Sequence, residues 1–288
     1  MNPLKVSELK NDIKKRLEEA GIPDAETDTR ILLGEYAGVS LSDLYADPEK
    51  LLPDSFSQDA LEKAMELRLK RVPLQHILGK TCFMGFDFNV SPAALIPRPD
   101  TEILAEEALI DHHDGTRILD LCTGSGCIII SLLALMHDCY GVATDISDDA
   151  LSLAEKNASE ILGEKKERLR FYKGDLYDAV PEGEKFEMII SNPPYIRTAD
   201  METLMPEVKD HDPAIALDGG EDGLSFYRRI IEGAGDYLCP GGDLILEIGY
   251  DQAEDVTKIM KANRFIEVRI IKDFGGCDRV VRGILSSL

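Results

Sequence analysis

From about residue 115 the chain alternates β-patterned runs with amphipathic stretches, and this alternation constrains the fold more than any other feature. "RILDLC" (117–122), "YGVATD" (140–145), "RLRFYKG" (168–174), "FEMIIS" (186–191) and "DLILEIG" (243–249) read as strands. Helical patterns intervene at 127–136, 147–162, 225–238 and 252–262. Strands joined through helices pair in parallel by right-handed crossovers, so both faces of the sheet are covered. The chain closes on "FIEVRIIKDF" and "RVVRGIL", joined through "GGCD" with no helix between them. The expectation is an α/β fold with a mostly parallel sheet and an antiparallel end.

The first 75 residues follow a different period. Leu9, Ile13 and Leu17 recur at four-residue steps, and the pattern stops at Gly21 and Pro23. A second helical segment, about 24–37, ends at Gly38; Ser40 can cap a short helix ending before Pro48, and "DALEKAMELRLKR" runs to Pro73. "TCFMGFDFNV" then alternates through Phe86, Phe88 and Val90, with Gly85 available for a hairpin turn. In "ALIPRPDTE", Pro97 and Pro99 prevent a continuous helix, and Asp100 or Thr101 can cap the next one. The expected division is a small helical bundle at 1–75 for docking, a hairpin linker at 76–98 and a larger domain at 99–288.

Composition narrows the partners. With 54 acidic residues against 32 basic ones, the net charge is −22, a field that repels nucleic-acid backbones. The six cysteines form no CxxC pair and read as reduced thiols of a cytoplasmic protein. The longest apolar stretch, "CIIISLLALM", is far below the roughly 18 residues that a membrane span needs.

Two loops carry chemistry. In "DLCTGSGCI", Gly124 and Gly126 let backbone approach a ligand where a helix N-terminus leaves N–H groups unpaired. Asp145 ends the next strand, placed to hold two ribose hydroxyls, while Ser147 serves as the helix cap. Ile129 occupies the third glycine position of a dinucleotide fingerprint, and the Gly-Lys-Ser/Thr of a phosphate loop is absent. An adenosine ligand without a pyrophosphate, S-adenosylmethionine, fits better. Asp175, in "KGDLY", is positioned to accept from the adenine amino group, or else is a turn residue after Gly174.

The second loop is "SNPPYI". Pro193 and Pro194 fix φ and remove two N–H donors, and Asn192 adds a side-chain carbonyl, giving a rigid cradle rich in acceptors. Such a cradle grips an –NH2 group by its hydrogens, and Tyr195 can stack on the planar group that carries the nitrogen. Accepted hydrogen bonds return electron density to a delocalised nitrogen and aim it at a methyl donor. The tetrapeptide itself leaves amide or nucleic-acid base open.

"LIPRPDTE", "DLCTGSG", "SNPPYI" and "ALDGGEDGL", in that order, resemble the HemK-type protein-(glutamine-N5) methyltransferases that modify peptide chain release factors. The resemblance spans nearly the whole chain. It implies a Rossmann-like class I S-adenosylmethionine-dependent methyltransferase domain behind a helical N-terminal domain, with S-adenosylhomocysteine as product and no metal. It further implies that Asn192 and Pro193 hold the glutamine amide of a release factor's Gly-Gly-Gln loop. Thr123, Gly124, Ser125, Gly126, Asp145, the Asp175–Leu176 pair and Asn192 are then expected to line the cofactor pocket, with Cys122 contributing backbone. Two departures stand out: Cys122 replaces a frequent glycine, and Asp212 stands where glutamate before the proline is common.

Other polar residues carry less. His112 and His113 read as solvated, and His76, His137 and His211 have no ligand-spaced partners. Arg98 and Asp100 either order the pocket or, for Asp100, cap a helix; Glu247 has no assigned role. Against the leading reading stand a methyltransferase for a base amino group, one for a ribosomal-protein glutamine, and a non-catalytic binding module. The acidic balance and the helical and "LIPRPDTE" segments favour a release-factor glutamine.

Overall fold

The structure, a computed structural model, describes residues 5–47, 49–53, 56–110 and 114–287. His112, His113 and the helix boundary at Pro48 lie outside the described residues. The chain divides into two compact units, Met1–Leu78 and Gly79–Leu288.

The first unit is helical: α1 (Val6–Glu19), α2 (Ala25–Ala37), α3 (Leu41–Ala46), α4 (Gln58–Leu69) and α5 (Leu74–Leu78). The four-residue stripe of α1, Val6, Leu9, Ile13 and Leu17, is buried against Leu32, Leu33 and Met65. Gly38 takes the left-handed conformation that ends α2, and the Ser40 hydroxyl accepts the Asp43 N–H at 3.2 Å to start α3. Among these buried side chains Arg68 donates to Asp28 at 2.6 Å, so the charge inside the bundle is paired. Helix α5 was not anticipated, because five residues are too few to display a helical period.

The second unit opens with the hairpin β1 (Lys80–Phe83) and β2 (Phe86–Asn89), turned by Met84 and Gly85, both at positive φ. Phe83 and Phe88 meet edge to face at 6.1 Å and belong to the core of this unit. Next come α6 (Glu102–Leu109), β3 (Arg117–Leu121), α7 (Cys127–Leu135), β4 (Tyr140–Asp145) and α8 (Asp148–Leu162). Then follow β5 (Leu169–Lys173), β6 (Phe186–Ser191), the short α9 (Pro206–Lys209), α10 (Ser225–Tyr237), β7 (Leu238–Glu247), α11 (Ala253–Ala262), β8 (Phe265–Lys272) and β9 (Asp278–Leu285).

The seven strands run in the order β5-β4-β3-β6-β7-β9-β8, parallel from β5 through β7 and antiparallel at β7/β9 and β9/β8. One face packs α6, α7, α8 and the hairpin; the other packs α10 and α11. The parallel sheet with an antiparallel end is the expected one. Strand β7 starts earlier than its apolar pattern. It takes in Pro240, Gly241 and Gly242 and slips register between Phe186 and Met188, a bulge that absorbs the missing N–H of the proline.

Deep in this unit Arg282 of β9 donates to Asp243 of β7 at 2.7 Å and to Glu107 of α6 at 2.9 Å, and all three are almost fully buried. Two carboxylates share one guanidinium, and its removal takes the charged partner from Asp243 and leaves Glu107 with the longer Arg269 pair at 3.8 Å. Arg282→Met is expected to lower the stability of this unit by about 3–5 kcal/mol, read from the shift in its urea midpoint.

Candidate active site

Sheet register brings the predicted residues together. Leu121 pairs with Thr144 on one side and Ser191 on the other, and Ser191 pairs with Leu246. The next residue on each strand leaves the same carboxyl edge: Cys122, Asp145, Asn192 and Glu247. The loops that follow line one open cavity. Its lining includes Cys122, Thr123, Gly124, Ser125, Asp145, Asp175, Leu176, Asn192 and Pro194. Gly126 sits just behind the lining as the left-handed cap of α7, where a Cβ would stand 2.7 Å from Ile130.

The Gly loop is pinned from β4. The Thr123 N–H donates to the Thr144 carbonyl at 3.0 Å. The Asp145 carboxylate accepts the Gly124 and Ser147 N–H groups, each at 2.9 Å, with lone pairs left for a ligand. Ser147 caps α8 by accepting the Ala150 N–H. Asp175 pairs with Arg229 of α10 at 2.8 Å, and both line the cavity. The buried Thr144 hydroxyl, also in the lining, has no partner among the described residues.

Cys122 holds φ +58°, a conformation that costs an L-residue roughly 1–2 kcal/mol. This explains why glycine is frequent there and why a small side chain suffices. Burial beside Asp145 and Asp120 pushes its thiol well above the ordinary range. Asp120, fully buried beneath the loop, accepts the Thr123 hydroxyl at 2.6 Å; burial raises its carboxyl to about 7.

The Asn192–Tyr195 loop is braced by the "DGGEDG" segment. A Cβ on Gly219 would meet Tyr195 Cα at 2.7 Å, and one on Gly223 would meet the Tyr195 carbonyl at 2.5 Å. The Ile196 N–H donates to the Leu217 carbonyl at 2.9 Å, the Gly219 N–H to the Ile196 carbonyl at 2.7 Å, and Gln252 Nε2 to the Tyr195 carbonyl at 3.0 Å. No N–H among the described residues donates to the carbonyls of Asn192, Pro193 or Pro194. Pro193 is buried. Tyr195 turns away from the cavity lining toward the α10–α11 side of the core, and its hydroxyl donates to Glu247 Oε1 at 3.3 Å.

Thr101 stands at the N-cap position of α6, but its side chain makes no capping hydrogen bond. Asp100 pairs with Arg279 of β9 at 3.1 Å, and the Thr101 hydroxyl accepts from Asn192 Nδ2 at 3.2 Å. Arg98 lines the cavity and pairs with the buried Asp212, whose Oδ1 has no hydrogen-bond partner among the described residues. The sequence reading missed Phe226 and Arg229, which enter the lining from α10, and Ala93, Ala94 and Ile96 from the turn after the hairpin. Their residue types carry no signal; only the position of their loops does. Among the described residues no group of three or more His, Cys, Asp or Glu is placed to hold a metal.

Two family profiles match: the PrmC N-terminal domain over residues 8–79 and the methyltransferase small domain over 99–208. The release factor glutamine methyltransferase of Geobacter sulfurreducens is 40% identical over 268 residues, covering 93% of this chain and 92% of the relative. The chain belongs to the release factor glutamine methyltransferase family. The enzyme of the same name from Caulobacter vibrioides is 38% identical, covering 96% of this chain and 94% of the relative. A methyltransferase from Pyrococcus furiosus shares the fold, with a TM-score of 0.54 at 19% identity over 70% of this chain and 90% of its own.

Thiol chemistry checks the packing around the family's Gly loop. At pH about 8, iodoacetamide is expected to modify the exposed Cys82 and Cys277 in the folded protein. Cys127, buried and pushed up to about 12, is expected to react only after unfolding, and the half-exposed Cys122, its thiol held up beside Asp145 and Asp120, more slowly than Cys82 and Cys277, as read by peptide mass spectrometry.

Proposed function

We propose that this protein transfers the methyl group of S-adenosylmethionine to the side-chain amide nitrogen of the glutamine in the Gly-Gly-Gln loop of peptide chain release factors. The observation that carries the reading is the free acceptor set of the Asn192–Tyr195 loop, on the same sheet edge as Asp145. The names of relatives aligned over nine-tenths of the chain support the substrate.

The cavity suits the cofactor. Asp145 keeps lone pairs for the two ribose hydroxyls, and Asp175 keeps acceptor capacity beside Leu176 for the adenine amino group. Thr123, Gly124, Ser125 and Gly126, with the Cys122 backbone, form the wall toward the amino-acid end, and the unpartnered Thr144 hydroxyl adds a polar group there. The bound cofactor supplies an electrophilic methyl group on a sulfonium, which departs as the neutral thioether of S-adenosylhomocysteine.

The protein's part is to prepare the nitrogen. In the ground state the amide lone pair is delocalised into its carbonyl. Asn192 Oδ1 and the Pro193 carbonyl each accept one N–H hydrogen, which returns density to nitrogen and orients its lone pair toward the methyl carbon. The prolines keep those carbonyls in place without an N–H of their own to compete, and Tyr195 anchors the far end of the loop. A C–N bond forms as the S–C bond breaks, and the positively charged amide then loses a proton to solvent. No strong base is needed, in keeping with a loop that presents acceptors and no histidine.

The test offers labelled S-adenosylmethionine with purified release factor, ribosomal RNA, DNA and ribosomal proteins in separate reactions. Label is expected on the release-factor glutamine; label only in nucleic acid sinks the reading. Asn192→Ala is expected to lower the transfer rate by at least about 100-fold while S-adenosylhomocysteine affinity stays within a few-fold, measured by calorimetry.

A further inference from the structure

Behind the Asn192–Tyr195 loop lies a buried carboxyl that the reaction as described does not use. Glu247 ends β7 one step beyond Leu246, the register partner of Ser191, so the two loops leave the sheet side by side. Its side chain is 2% exposed. The Tyr195 hydroxyl donates to Oε1 at 3.3 Å, and the Thr101 hydroxyl stands next to the carboxyl. Oε2 has no partner at hydrogen-bonding distance among the described residues. Thr101 is also the residue that receives Asn192 Nδ2, at 3.2 Å. The last residue of the loop thus bonds the carboxyl directly, while the first, Asn192, bonds Thr101, whose hydroxyl faces the same carboxyl.

The rest of the surround is fixed. The Tyr227 hydroxyl of α10 donates to the Glu247 backbone carbonyl at 3.0 Å, which holds the strand end. Arg279 of β9 faces the carboxyl while paired with Asp273 at 3.0 Å and Asp100 at 3.1 Å. Asp100, Tyr227 and the Cys127 thiol of α7 also face it. Burial pushes the carboxyl up to about 7; Thr101, Arg279 and Tyr195 draw it down, and Asp100 pushes it up.

We propose that Glu247 is a positioning residue for the acceptor amide: ionised, it takes the Thr101 and Tyr195 hydroxyl hydrogens and thereby turns Asn192 Oδ1 toward the substrate. With its hydrogen committed to Glu247, the Thr101 oxygen is left to accept from Asn192 Nδ2, which fixes the opposite end of that amide. Protonated, Glu247 no longer draws the Thr101 hydrogen to itself, and that hydrogen can turn toward Asn192 and displace the Nδ2 donor. The inference rests on the reading of this loop as a glutamine-amide cradle.

The experiment measures kcat at saturating cofactor and release factor between about pH 6 and 8.5 for wild type, Glu247→Gln and Tyr195→Phe. The ratio of wild-type to Glu247→Gln kcat, in which titration of Asp120 cancels, is expected to climb with pH through about 7 and to reach at least about tenfold. S-adenosylhomocysteine affinity in the variant stays within about twofold, which separates positioning of the acceptor from a folding defect. Tyr195→Phe keeps the ring but removes one hydrogen bond to the ionised carboxyl, so its rate rise moves to higher pH. A flat ratio, or a Tyr195→Phe profile that rises where wild type does, overturns the inference. If Glu247→Gln does not fold, the Tyr195→Phe profile decides alone. Absence of transfer to release factor by wild type overturns the cradle reading, and this inference with it; transfer with a flat ratio overturns this inference only.

Discussion

Four strands set side by side in register govern everything at the site. Because Leu121, Thr144, Ser191 and Leu246 are hydrogen-bonded neighbours, the residue after each emerges at one edge, and no side chain has to reach far. Parallel pairing demands this: each crossover returns the chain to the same end, so ligands collect outside the carboxyl ends of the strands. The helices on both faces bury the apolar residues that hold the register, Leu119 and Ile189 toward one side and Ile118 and Ile190 toward the other. A one-residue slip of β6 would turn Asn192 away from the cavity and bring a buried face into water.

The period-2 and period-3.6 patterns made the sheet legible, because a parallel strand buried on both faces leaves a dense run such as "FEMIIS". The loops were legible where a residue type has few reasons to occur, as with the double proline at 193–194 or the glycines around Ser125. What escaped was relational. Phe226 and Arg229 reach the cavity only because α10 packs beside the end of β5, and nothing in "SFYRR" announces it. Thr101 holds the N-cap position that the sequence offers to it or to Asp100, yet its hydroxyl serves a residue 91 positions away instead of the helix. Tyr195 was read as facing the substrate, and its ring instead lies with the core while its hydroxyl reaches Glu247.

The "ALDGGEDGL" segment shows why a motif can be specific without touching the chemistry. Two of its glycines lie so close to the Asn192–Tyr195 loop that a methyl group on either would collide with Tyr195 backbone. The Gln252 side-chain amide bridges the Tyr195 and Gly223 carbonyls, at 3.0 and 3.2 Å. The rigid loop is thus pressed between a glycine-lined strip and the end of the sheet. Prolines fix its torsions and the glycines fix its position; either alone would leave the carbonyls free to shift.

Buried charge is distributed by the same logic. Away from the site each buried carboxylate shares a guanidinium: Asp28 with Arg68, and Glu107 and Asp243 with Arg282. At the site edge Asp120, Asp212 and Glu247 each keep one oxygen without a hydrogen-bond partner among the described residues. Burial raises all three carboxyls, Asp120 and Glu247 to about 7. A carboxyl whose folded pKa lies above its unfolded one favours the fold below the unfolded value, near 4, and loses that contribution as pH rises through about 7. The fold is therefore weakened at neutral pH by the groups that surround the cavity, and the fully paired networks deeper in the chain offset that cost. Carboxyl oxygens without partners among the described residues, beside the unengaged carbonyls of Asn192, Pro193 and Pro194, keep this edge of the sheet rich in acceptors, which is what an amide-binding surface requires.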